Sequence, residues 1–141
     1  MTALNRETVA NRLNAVVGWE GKSRLLVQLA QDLPAFPDAQ RIDANRVAGC
    51  ESRVWLLLDW QDGKLQMAAT SDSRVVQGLL ALVFACYHGQ TAVDVLALDF
   101  EGWLTELGLS RFLSASRGSG LRAIVARIRN AALAVSIRPL T

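Results

Sequence analysis

Val54-Trp55-Leu56-Leu57-Leu58-Asp59-Trp60, then Gln61-Asp62-Gly63-Lys64, then Leu65-Gln66-Met67-Ala68-Ala69-Thr70 is the stretch that decides the fold. The first run is apolar on both faces as far as Asp59, the pattern of a strand covered on both sides at one end. The second alternates, with Leu65, Met67 and Ala69 on one face and Lys64, Gln66 and Ala68 on the other. Between them, Asp62-Gly63 supplies two residues that tolerate φ > 0, as the tightest hairpin turns require. The spacing predicts an antiparallel hairpin.

Immediately upstream stands Val47-Ala48-Gly49-Cys50-Glu51-Ser52-Arg53, which places a thiol where a loop meets the first strand. Gly49 lacks a Cβ, so the chain can bend sharply there and another molecule can approach the next side chain closely. Cys50 is therefore a candidate nucleophile, although a free cysteine serves equally well as a small buried apolar side chain. The connection before it, residues 33–46, contains Pro34 and Pro37 and reads as a long ordered loop, a kind of segment that often carries function.

Downstream, Ser71-Asp72-Ser73 offer alternative caps for a helix from Arg74 to about His88, with Gly89 as its stop. Val75, Val76, Leu79, Leu80, Leu82, Val83, Phe84 and Cys86 surround its axis, the signature of a central buried helix that takes Cys86 into the core. Thr91 and Asp99 cap two short helices, the second stopped by Gly108. At the other end, Asn5 caps a helix reaching about Val17 and ended by Gly18. A second, from about Trp19 to Asp32, buries Leu25, Leu26, Leu29 and Leu33. The last helix is expected to follow Ser114-Ala115-Ser116-Arg117-Gly118-Ser119-Gly120, with the Gly-Ser-Gly run as its cap and Leu121, Ile124, Val125, Ile128, Ala132 and Val135 along one stripe. The expected architecture is α+β: a single domain over residues 1–141, with a small antiparallel β-sheet packed against several α-helices.

Composition narrows the function. The 141 residues are 51% hydrophobic, enough for one core. Fifteen basic side chains against thirteen acidic ones leave a formal charge of +2, which gives no electrostatic case for nucleic acid or a membrane surface. The longest apolar run, residues 79–87, falls well short of the ~18 residues of a membrane helix. The first residues lack the apolar stretch of a secretory signal, so a cytoplasmic location is expected, where thiols stay reduced and Cys50 and Cys86 remain separate. There is no C-x-x-C, and His88 is the single histidine, which argues against a zinc site.

Several blocks, in order, resemble one family. They are Trp19-Glu20 opening the second helix, Leu33-Pro34 after it, Gly49-Cys50-x-Ser52-x-Val54-Trp55, Ser71-Asp72 before Val75 and Gly78-Leu79, and Leu113-x-x-Ser116-Arg117-x-x-Gly120-Leu121. Nearly the whole chain is similar to the SufE family of sulfur-acceptor proteins, its CsdE relatives included. The resemblance implies the SufE/IscU-like α+β fold and a partnership with a cysteine desulfurase of the SufS or CsdA type. The pyridoxal phosphate belongs to that partner, and no bound cofactor or metal is implied for this chain. Cys50 matches the persulfide-carrying cysteine, which takes sulfur from the desulfurase, stimulates it, and passes the sulfur to an iron-sulfur assembly scaffold or another acceptor. Gly49, Ser52, Trp55 and Arg117 match positions that support the loop, and Asp72 matches a region associated with partner docking. A homodimer is left open.

A thiol with a pKa of about 8.5 is mostly protonated at neutral pH, so a neighbouring cation would raise its reactive fraction. Arg46, Arg53 and Arg117 are the candidates, and Glu51 would act against them. Two other readings stand beside the carrier. A self-contained thiol enzyme would need a nearby base, usually histidine. A plain interaction domain would make no chemical use of Cys50.

Overall fold

The hairpin forms as its sequence predicts: β1 (Val54–Gln61) and β2 (Lys64–Ser71) pair antiparallel without interruption, from Val54 opposite Ser71 to Gln61 opposite Lys64. The turn residues Asp62 and Gly63 have φ of 53° and 75°, the left-handed pair that matches the twist of the strands. This computed structural model describes residues 4–49, 52–113 and 115–136, and for residues 112, 113 and 115–119 the backbone alone.

A two-stranded ribbon exposes two rows of backbone groups that must be satisfied. Along the outer edge of β2, Leu65 N–H donates to the Gln90 carbonyl at 2.8 Å and Gly89 N–H donates to the Leu65 carbonyl at 2.7 Å. The Met67 N–H donates to Nδ1 of His88 at 3.2 Å. Along β1, Val47 N–H donates to the Val54 carbonyl at 2.9 Å, and Arg46 lies opposite Trp55 as an antiparallel bridge.

His88, to which the sequence assigned no role, thus completes the sheet edge. Its ring also stacks on Phe84 at 4.2 Å between centroids. Accepting from Met67 requires a neutral ring, and burial lowers the His88 pKa below its ordinary 6.5. The unfolded chain therefore takes up this proton at a higher pH than the folded chain does. Stability is complete above pH 6.5 and falls as the pH drops below it. Because His88 is the single histidine, a urea titration between pH 6.5 and about 5, above the carboxylate range, isolates it. The slope seen in the parent should vanish in His88→Gln.

The sheet lies against α3 (Arg74–Tyr87), whose N-terminus is capped by Ser73 Oγ accepting from the Val76 N–H. Residues 78–87 of this helix are all buried, Leu80, Leu82 and Tyr87 completely, which is the all-round burial read from the sequence. Cys86 is 1% exposed. Two helices pack on its other side. α1 (Arg6–Asn14) starts from a reciprocal cap between Asn5 and Thr8, and α2 (Gly18–Ala30) contributes Leu25, Leu26 and Leu29 to the core. Thr91 caps α4 (Ala92–Ala97) and Asp99 caps α5 (Phe100–Glu106), as expected. The long α6 (Ala115–Ser136) packs on α4, burying Leu121, Ile124, Ile128 and Ala132. No described helix is long and apolar enough to cross a membrane.

Two boundaries depart from the sequence reading. α1 ends at Asn14 rather than near Val17, because Val17 is extended and 95% exposed and has no surface against which another turn could pack. Gly18, expected to stop that helix, opens α2 with φ of 82°. More consequentially, α6 begins at Ala115 and runs through Gly118-Ser119-Gly120, so that run is helix rather than cap. Each glycine costs about 1 kcal/mol of helix propensity, an amount the packing of a 22-residue helix readily outweighs.

Candidate functional site

Cys50 and Glu51 lie outside the described residues, as does the side chain of Arg117, but specific contacts place the chain on either side of the thiol. Val47 is buried, and its hydrogen bond to Val54 pinches together the incoming loop and the first residue of β1. Gly49 is exposed with φ of 90°, the left-handed backbone for which glycine is suited, and Ser52 is half-buried. A Cβ built on Gly49 would stand 3.7 Å from Cβ of Ala123 on α6. That space is ordinary, so the requirement for glycine is set by φ.

The incoming loop is tied down from far along the chain. Arg127 on α6 donates from Nη1 to the Arg46 carbonyl at 2.9 Å and from Nη2 to the Ala44 carbonyl at 3.3 Å. One planar guanidinium thereby satisfies two carbonyls of the segment that leads to the thiol, a task suited to the fork geometry of arginine. Two 3-10 turns, Asp38–Gln40 and Asp43–Asn45, give the segment its shape, and Asn45 Nδ2 donates to the Gln40 carbonyl at 2.9 Å. Removing the fork should loosen this segment alone. In Arg127→Met, the amides of Asn45, Arg46 and Val47 should exchange roughly tenfold faster, in keeping with hydrogen bonds from a charged group, while those of α3 are unchanged.

Trp55, the second residue of β1, is 8% exposed and is flanked by two cations. The Arg41 guanidinium carbon lies 5.4 Å from a ring centroid and that of Arg53 lies 5.7 Å away, within cation–π range. Arg53 Nε also donates to Asp72 Oδ2 at 2.8 Å, and this hydrogen bond, helped by the charge of Arg53, holds the Asp72 carboxyl below the ordinary carboxylate range. Asp72 is therefore engaged with the residue that closes the thiol loop. Ser71 Oγ donates to the Arg53 carbonyl at 2.7 Å and accepts from the Ser73 N–H, joining the loop exit to the cap of α3. Beneath Arg41, Thr70 Oγ1 accepts from Gln77 Nε2 at 3.1 Å.

Of the residues singled out from the sequence, Gly49, Ser52, Trp55 and Asp72 fall in one region around the sheet's leading end. Arg53 faces Asp72, while Arg46 offers its carbonyl to Arg127. Arg41 and Arg127 escaped the sequence reading, since neither occurs in a motif and each acts across a long separation. Each of the two arginines against the Trp55 indole also faces a carboxylate, Arg41 that of Asp38 at 3.7 Å and Arg53 that of Asp72 at 2.8 Å. A shallow depression of about 410 Å³ is lined by Asp43, Arg46, Val47, Ala48 and Gly49. Among the described residues, no three His, Cys, Asp or Glu side chains converge as a metal site would require.

SufE, described as an Fe-S metabolism associated domain, matches residues 7–132, and this chain belongs to the SufE family. Among its relatives is the sulfur acceptor protein CsdE of Escherichia coli (strain K12), 40% identical over 124 residues that span 87% of this chain and 84% of that protein. The fold is also that of a solution structure of a hypothetical protein from Thermus thermophilus. The two align with a TM-score of 0.75 at 19% identity, covering 98% of this chain and 100% of the other.

Proposed function

We propose that this protein is a sulfur carrier, accepting persulfide sulfur on Cys50 from a pyridoxal-phosphate cysteine desulfurase and delivering it to an iron-sulfur assembly scaffold or another acceptor. The observation that carries the reading is family membership together with the place of residue 50 in the chain. In the sequence, Cys50 falls between Val47 and Val54, which are joined by a hydrogen bond, and five residues before Trp55, against which Arg41 and Arg53 lie. In the transfer, the Cys50 thiolate attacks the outer sulfur of the donor's persulfide. A sulfur–sulfur bond forms to Cys50, the donor's own sulfur–sulfur bond breaks, and the donor's thiolate leaves with the electron pair. No net oxidation occurs, so no cofactor is needed on this chain. Trp55 anchors the strand beneath the loop, Arg41 and Arg53 favour the anionic forms of sulfur, and Arg117 and Asp72 complete the loop and docking region. The cytoplasm suits this chemistry, because its thiols are kept reduced.

The second cysteine bears on the same reading. A thiol within reach of a persulfide would attack it, form a disulfide and release the cargo as sulfide. Cys86 lies inside α3, and burial pushes its thiol up to about 12, so it is protonated at working pH. Mixing the protein with a desulfurase and L-cysteine, followed by peptide mass spectrometry, should show a gain of about one sulfur on the Cys50 peptide and none on the Cys86 peptide. Alkylation of the native chain should likewise modify Cys50 rapidly and reach Cys86 only on unfolding. Sulfur on Cys86 alone would overturn the assignment. Turnover of peroxides or thioesters with no partner present would favour the self-contained enzyme instead.

A further inference from the structure

The ten residues from Pro37 to Arg46 are ordered without burying a side chain. Phe36 and Val47 are buried at either end, but between them only Asn45 is even half-buried, and Ile42, between the two 3-10 turns, is 48% exposed. Fixing a backbone costs conformational entropy at every residue, and apolar burial, the usual compensation, is missing here. Polar ties take its place. Arg41 reaches out of the segment to Thr70 Oγ1 at 3.4 Å and to the Trp55 ring, and Asn45 Nδ2 closes back onto the Gln40 carbonyl and Oε1. Arg127 reaches in from α6 to the carbonyls of Ala44 and Arg46. A solvent-facing stretch held in one shape without a core of its own is suited to meeting another molecule, because binding then need not supply the ordering.

Among these ties, that of Arg127 lies nearest to residue 50 in the chain. One face of α6 backs residues 44 to 49: Arg127 takes the carbonyls at 44 and 46, and Ala123, one turn earlier on the same face, is the neighbour that a Cβ on Gly49 would meet. The depression of about 410 Å³ is walled by Asp43, Arg46, Val47, Ala48 and Gly49, the same stretch of chain. Arg127 does not line it, so its part is to set the shape of the wall from behind. Two carbonyls side by side call for two donors in one plane. A lysine, whose charge sits at a single point, serves one of them at a time.

We propose that Arg127 is a positioning residue for sulfur transfer, holding the segment ahead of residue 50 through the Ala44 and Arg46 carbonyls in the shape that a sulfur donor meets, a role that rests on the sulfur-carrier reading of Cys50. Without the fork, the competent shape is only a fraction of the population, and apparent affinity falls by that fraction while the chemistry of the docked pair is unchanged. The test uses a cysteine desulfurase, L-cysteine and rising concentrations of the whole carrier. Arg127→Met should raise the KM for the carrier roughly tenfold and leave kcat within about twofold of the parent. Arg127→Lys keeps the charge but not the fork, and should still raise KM about threefold. Alkylation of Cys50 by iodoacetamide needs no docking, so Arg127→Lys should show the parent's rate and pH profile. Arg127→Lys with the parent's KM would mean that surface charge alone matters, and would overturn the proposal. So would a parental KM in Arg127→Met, or a fall in kcat at unchanged KM, which would place Arg127 in the chemical step. In each of those cases the parent still loads sulfur on Cys50 and the carrier reading stands; a parent that loads none ends both.

Discussion

Cys50→Ser should fold as the parent does and take up no sulfur. The neighbours of residue 50 on either side, exposed Gly49 and half-buried Ser52, are surface positions, where substitutions usually alter stability by no more than about 0.5 kcal/mol. The chemical effect, by contrast, is total. A serine hydroxyl is not ionised near neutral pH and cannot enter thiol–persulfide exchange, whereas a thiol is in equilibrium with its nucleophilic thiolate. With isotope-labelled cysteine and a desulfurase, radioactivity on the variant should fall to that of a mixture lacking this protein, and onward delivery should stop with it. Label still arriving at an acceptor through Cys50→Ser would end the carrier reading. Desulfurase stimulation that survives the substitution would return the chain to the class of interaction domains.

The second large effect is structural, and its sign separates this structure from helix propensity. Gly78 lies in the first half of α3, where alanine would ordinarily be worth about 1 kcal/mol over glycine. A Cβ there would stand 2.5 Å from the carbonyl oxygen of Leu26 and 2.9 Å from its carbonyl carbon. Both are backbone atoms of α2, so the clash cannot be relieved by a rotamer change; the two helices must separate. Gly78→Ala should therefore destabilise by about 2 kcal/mol, as overpacking does, and lower Tm by roughly 4–8 °C. Gly21 on α2 is the matched control. A Cβ there meets only Val16 side-chain atoms at 3.4 and 3.9 Å, so Gly21→Ala should raise Tm slightly. A rise for both variants would mean that α2 and α3 do not approach this closely.

What could be read from the sequence was whatever is written locally. The hairpin was legible because Asp62-Gly63 determines its own backbone and the flanking alternation determines which face is buried. α3 was legible because ten consecutive buried positions leave no polar stripe, and the caps at Asn5, Ser73, Thr91 and Asp99 each act within three residues. The start of α6 was misread for the converse reason. Glycine and serine have poor local propensity, and only contacts from elsewhere in the chain make them helical. The support of the thiol loop shares that blindness. Nothing near Arg127 announces that it serves carbonyls at positions 44 and 46, and nothing near Arg41 announces Trp55. His88 was left without a role because its partner is a backbone N–H, which no side-chain pattern records.

The reach of Arg127 across 81 residues to Arg46 has a consequence for how the molecule is born. On the ribosome, the ribbon and its central helix emerge well before the C-terminal helix, so the nascent chain can build most of its interior while the segment around Ala44 and Arg46 still lacks its brace. That segment acquires its working shape only when synthesis is almost finished.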